Sequence, residues 1–128
     1  MLLKKVDITK RTLKFGIEID KLSKKFIQRY PLSTIDQIIK SSTAIGANVH
    51  EAQGARTKKE FCSIMGIARK ESQETDYWLN HFLETERGAN QKLIQNLIDE
   101  NEEIVKIITT IRKNALENLK KTLKLKNN

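Results

Sequence analysis

The chain has 128 residues, of which 38% are hydrophobic and 31% charged, with one proline, five glycines and a single cysteine. This balance fits one soluble core; it argues against disorder over most of the length, rules out an internal disulfide, and offers no apolar run near the roughly 20 residues that cross a bilayer. The start MLLKKVDITK has no signal-like apolar stretch, so a cytoplasmic location is expected, and the net charge of +8 directs attention to polyanionic partners.

A first helix is expected over about 8–29, because Ile8, Phe15, Ile19, Leu22 and Phe26 recur at helical spacing along one stripe. Tyr30-Pro31 ends it, since a residue before proline is pushed out of the α region, and Ser33 is placed to cap a second helix over about 33–54. That helix carries Ile35, Ile38, Ser42, Ile45, Val49 and Ala52 on a three-four repeat. Ser41, Gly46 and Ala47 slim its face for close packing. No strand precedes them, so they do not read as a phosphate-binding loop.

Ala55-Arg56-Thr57 breaks the pattern, and Thr57-Lys58-Lys59-Glu60 has the T-x-x-E form of a capping box. A third helix follows over about 57–87, with Phe61, Ile64, Ala68, Thr75, Trp78 and Phe82 on one face. Gly88-Ala89-Asn90 interrupts it. The fourth helix, about 90–120, places Leu97, Ile104, Ile108, Ile111 and Ala115 on its stripe, while Ile94, Ile98, Val105 and Ile107 widen the apolar surface beyond a single face. Residues 121–128 read as a basic tail that frays.

Four amphipathic helices with short connections predict an all-α, up-down-up-down four-helix bundle as one domain over residues 1–128. The wide apolar circumference of the fourth helix predicts self-association into a ring-like homo-oligomer. Charge is segregated along the chain: residues 1–29 and 106–128 hold 16 basic and 4 acidic residues, a balance of +12, whereas residues 30–105 hold 8 and 12, a balance of −4. Antiparallel topology brings the two termini and the junction of helices two and three to one end. Lys4, Lys5, Lys10, Arg11, Arg56, Lys58, Lys59, Lys120, Lys121, Lys124 and Lys126 are therefore expected to form a basic pole, and Asp36, Glu84, Glu86, Asp99, Glu100, Glu102 and Glu103 an acidic opposite end.

The run IGANVHEAQGARTKKEFCSIMGIARKESQETDYWL resembles the signature of the four-helix-bundle proteins encoded by intervening sequences within bacterial 23S ribosomal RNA genes. Asn48, Glu51, Glu60, Phe61, Ala68, Lys70, Glu71, Glu74, Thr75, Trp78 and Leu79 sit where that motif has the same residue types. The likeness is close over the hairpin of helices two and three and extends to the outer helices in pattern. Gly54 is the departure, where a helix-favouring residue is expected. The resemblance implies a cytoplasmic, pentameric bundle and, more distantly, a kinship of fold with accessory proteins of diversity-generating retroelements, which are basic pentamers that bind nucleic acid and a reverse transcriptase.

Enzyme chemistry finds little support. Asn48 and Glu51 on helix two and Glu71 and Glu74 on helix three are pairs three residues apart, each on one helical face. A di-metal carboxylate site also needs Glu-x-x-His pairs, and neither His50 nor His81 has a glutamate three residues before it. A structural polar network or an intersubunit contact is the preferred reading of the four. Cys62 lacks a surrounding Cys-His signature and reads as a small packed thiol. Tyr77, Trp78 and Phe82 are spaced for packing rather than for stacking on bases.

The basic pole has a mechanism, since cations that neutralise phosphates release counterions without reading bases. The expected function is a non-enzymatic homo-oligomer that associates with ribosomal RNA, or other RNA or DNA. The alternative is a module that binds itself or a protein partner without nucleic acid. No cofactor, metal, membrane or small-molecule substrate is expected.

Overall fold

The computed structural model describes residues 7–127, and among these the chain forms four helices and no strand: α1 (Ile8–Phe26), α2 (Leu32–Ala52), α3 (Lys58–Thr85) and α4 (Gly88–Lys126). Asp7 caps α1 by accepting a hydrogen bond from the Lys10 amide at 3.1 Å, leaving Ile8, Phe15, Ile19, Leu22 and Phe26 buried on one side. Pro31, not Ser33, occupies the N-cap of α2, so this helix starts without a side-chain cap bond. A proline there has no amide donor to leave orphaned. Gly54 lies beyond the end of α2, where it helps the chain turn rather than interrupting a helix.

The small residues of α2 do what their size suggests. A Cβ on Gly46 would sit 3.4 Å from the Thr12 backbone, so α1 and α2 approach at near backbone-to-backbone distance. Buried Thr12 returns its hydroxyl to the Ile8 carbonyl at 2.8 Å. Thr57 caps α3 by accepting from the Glu60 amide at 3.0 Å, while the Glu60 carboxylate reaches the Arg56 amide at 3.2 Å rather than the cap's own. Gly88, with φ +64, makes the turn into α4 in a backbone region that disfavours side chains.

Contacts along the helices establish antiparallel neighbours. Gly16 faces Ser42 and Thr43 while Gly46 faces Thr12, and on the other side Ser72 meets Asn101 while Lys58 meets Thr122. The core runs between the four helices, with Phe26, Ile38, Ile45, Met65, Leu79, Phe82 and Ile104 fully enclosed.

The helices differ greatly in length. α1 has 19 residues and α4 has 39, so they measure about 28 and 58 Å at 1.5 Å per residue. The last fully buried side chain on α4 is Ile108, and Ile111 and Ala115, expected on the core stripe, are only half-buried. The expected tail is instead helical through Lys126. One end of the molecule is thus a four-helix bundle, and the other is a projecting pair made of the start of α3 and the second half of α4.

Candidate nucleic-acid interface

Helix lengths decide which cations share a surface. Lys58 lies beside Thr122, its ammonium 3.5 Å from the threonine hydroxyl, so the first turn of α3 and the last turns of α4 are level. Arg56, Lys58, Lys59, Lys120, Lys121, Lys124 and Lys126 are all exposed there, and none joins an ion pair among the described residues. Glu60 and Glu117 are the acidic residues on the same stretches.

Lys10 and Arg11 are not part of this group. Arg11 makes a bidentate pair with Glu100, both bonds 2.8 Å, and the carboxylate's hydrogen bond holds its guanidinium proton more tightly than usual against the opposing effect of burial. Glu100 and Thr122 are about 33 Å apart along α4. The single pole expected from topology is therefore divided, because α4 extends well past the start of α1. Lys10 adds a long contact to Asp7 at 3.9 Å, while Lys4 and Lys5 lie outside the described residues. The acidic end is corrected in the same way. Asp99, Glu100, Glu102 and Glu103 lie partway along α4, level with the start of α1, whereas Asp36 near the start of α2 and Glu84 and Glu86 at the end of α3 do fall at the expected end.

The polar residues of α2 and α3 make separate contacts. Asn48 donates to the Ala44 carbonyl of its own helix at 2.8 Å, Glu51 is exposed, and Glu74 accepts from the Trp78 indole at 3.4 Å. Half-buried Glu71 has no side-chain hydrogen bond among the described residues, and its carboxyl is pushed up first by burial and then by the charge of Glu74, against Lys40 and Lys70. Among the described residues no hydrogen bond joins these four side chains to one another.

Buried hydrogen bonds between helices lie elsewhere. The Ser72 hydroxyl donates to Asn101 Oδ1 at 2.6 Å while Asn101 Nδ2 donates to the Ser72 carbonyl at 2.9 Å, and Thr75 reaches Ser41 at 2.9 Å. At the closed end Glu86 is only 3% exposed and accepts from Arg29, Tyr30 and Asn90. Burial alone would raise its carboxyl, but the bonds from Tyr30, Arg29 and Asn90 and the Arg29 charge outweigh it and lower it. The sequence signal for these positions is a small polar residue on an otherwise apolar stripe, as at Ser41 and Thr75. Glu86 has no such signature.

Cys62 is buried, and its carbonyl accepts from Arg112 Nε at 2.9 Å. His50 and His81 are exposed, and among the described residues no three His, Cys, Asp or Glu side chains converge as a metal site. Phe82 is core, Trp78 is half-buried, and Tyr77 is 60% exposed with its ring against Trp78. Also unanticipated are Arg69, Lys70, Arg112 and Lys113, which the packing of α3 on α4 gathers beside the projecting pair. Two Arg-Lys dipeptides, one on each helix, were the available signal.

The family model described as 23S rRNA-intervening sequence protein matches residues 4–110. The chain belongs to that family. A crystal structure of a protein of unknown function from the S23 ribosomal protein family of Bacteroides thetaiotaomicron is 31% identical and superposes with a TM-score of 0.77. The match covers 83% of this chain and 98% of that one. No curated protein matches the sequence. In this member of the 23S rRNA-intervening sequence protein family, the last part of α4 beyond residue 110, with its lysines, lies outside the family match.

Proposed function

We propose that the protein is a non-enzymatic, cytoplasmic homo-oligomer that associates with ribosomal RNA, or another nucleic acid, through phosphate contacts. The carrying observation is the exposed lysine cluster of the projecting pair, Lys58, Lys59, Lys120, Lys121, Lys124 and Lys126, without ion-pair partners among the described residues. Family membership and the neighbour's ribosomal description support the same reading. Lysine ammonium groups on flexible stems suit sequence-independent backbone contact more than bidentate base recognition.

The test is binding to a structured ribosomal RNA fragment across a salt series. Each phosphate neutralised contributes about 0.9 to the log-log salt slope on a duplex, so affinity is expected to fall steeply with salt. A Lys58→Glu/Lys59→Glu double variant and a deletion of residues 120–128 should each weaken binding and flatten the slope. Unchanged affinity and slope in both would remove the lysine cluster as the contact surface, and no binding by the intact protein at low salt would leave the protein-interaction reading.

That second reading has an observation of its own. Ile67, Glu71, Glu74 and Trp78 share an outward face of α3, with Ile67 45% exposed and Trp78 half-buried, and Leu13 and Ile17 are exposed one turn apart on α1, with Ile27 exposed just past its end. Burial of such faces against further copies, five on the family resemblance, would complete the surroundings of Glu71. Light scattering at micromolar concentration decides it, and a monomeric mass would sink it.

A further inference from the structure

The outer groove between α3 and α4 holds two adjoining cavities of about 350 Å³ each, and Arg69 and Arg112 line both. Lys70 borders one, and Lys113 and Lys120 border the other. Against these five cations stands one carboxylate, Glu117. None of the six takes part in an ion pair among the described residues. The neighbouring stretch of the same groove, around Asp76 and Glu102, is of mixed sign, so the excess of positive charge is local.

Arg112 differs from the surrounding lysines in being held. Its Nε donates to the Cys62 carbonyl at 2.9 Å, and its guanidinium lies over Gly66, where a Cβ would come within 3.1 Å of Nε and 3.4 Å of Nη2. The absent side chain makes room for the planar group. Anchorage through Nε leaves the two terminal nitrogens with no hydrogen-bond partner among the described residues. A guanidinium fixed in this way loses little conformational freedom on binding, and its paired terminal donors match two oxygens of one phosphate. Arg69, exposed on α3, supplies a second fork one turn after Gly66.

We infer that this groove is a phosphate site, with Arg112 as its fixed donor and Arg69, Lys70, Lys113 and Lys120 around it, and that it seats the backbone of an RNA strand. Such a role rests on the reading of the protein as RNA-associated, and it moves the centre of contact from the chain ends to the side of the projecting pair. Mobile lysines at the tip then steer the strand, and the groove sets where it lies. Arg112, Lys113 and Lys120 fall outside the family match, which ends at residue 110, whereas Gly66, Arg69 and Lys70 fall within it.

The experiment uses the full chain with two probes: the structured ribosomal RNA fragment, and inorganic tripolyphosphate, which has the phosphates and no bases. Arg69→Gln/Lys113→Gln changes two exposed side chains and should weaken RNA binding roughly tenfold at low salt, flattening the slope by about 2. Lys14→Gln/Lys24→Gln on α1 removes the same charge away from the groove and should change affinity less than twofold. Gly66→Leu keeps every charge but fills the space under the Arg112 guanidinium; it should weaken RNA binding at an unchanged melting profile. Tripolyphosphate should shift the Arg112 and Arg69 Nε–H resonances ahead of those at other arginines. RNA binding by the groove variant no weaker than by the α1 control would overturn the site while leaving RNA association intact. Resonance shifts with tripolyphosphate but no RNA binding would support the phosphate site and overturn the RNA reading.

Discussion

The two ends of the molecule use the same kinds of charged residue to opposite effect. At the closed end, Arg29 and Tyr30 from the α1–α2 turn and Asn90 from α4 converge on the buried Glu86 carboxylate, so the charge is consumed in holding helix ends together. At the projecting end, α3 and α4 extend past α1 and α2, and the lysines and arginines they carry meet few carboxylates. Burial makes the difference: a charge inside the bundle requires a partner, whereas a charge on a two-helix projection keeps its hydration and remains available to a ligand. Charge count alone therefore says little about function here, and helix length says a good deal.

Arginine replacements at the two ends would break that contrast if it is wrong. Arg29→Ala leaves the Glu86 carboxylate buried with only Tyr30 and Asn90, and should cost about 2–4 kcal/mol in urea unfolding. Arg69→Ala, at an exposed site without an ion pair, should stay within about 0.5 kcal/mol. Equal losses at both would show that the projecting cations are structural after all. The closed end should also carry a pH signature. Because the folded Glu86 carboxyl lies below its unfolded value, its stabilisation is present above the ordinary carboxylate range and is lost as pH falls through the lowered folded value. Glu86→Gln should remove that part of the acid dependence.

Next in size is the register between α3 and α4. Asn101→Ala removes both bonds to Ser72 at a buried position, and a loss of about 1–3 kcal/mol is expected. A thermal midpoint equal to wild type would mean that apolar packing alone aligns the long pair.

The smallest expected change is at Glu71. Its carboxyl is raised by burial and by Glu74, so ionising it opposes folding slightly, and this penalty disappears as pH falls through the raised folded value. Glu71→Gln should leave stability unchanged or slightly higher at neutral pH, with reduced pH dependence near the carboxylate range. A clear destabilisation together with a loss of oligomer mass would assign Glu71 to a contact between subunits.

Helix existence and order, the Thr57 cap and close packing at the small residues of α2 were legible in the sequence because each depends on local spacing, backbone preference or side-chain size, whereas α1 ends at Phe26, ahead of Tyr30-Pro31, and Gly88 opens α4 rather than lying in the break before it. The likeness of the α2–α3 hairpin to its family was legible for the same reason, being carried by residues near one another in the chain. Only the tertiary structure decided that α4 outruns α1 by so much, since helix ends depend on what packs beside them. That offset separated Arg11 from the distal lysines, placed Asp99 through Glu103 beside the start of α1, and brought the Arg-Lys dipeptides at 69–70 and 112–113 to one groove. Pairings such as Glu86 with Arg29, or Asn101 with Ser72, join residues far apart in the chain. Periodicity specifies which face of a helix turns inward; the axial offset between two helices follows from the packing of both, and no single stretch of sequence contains it.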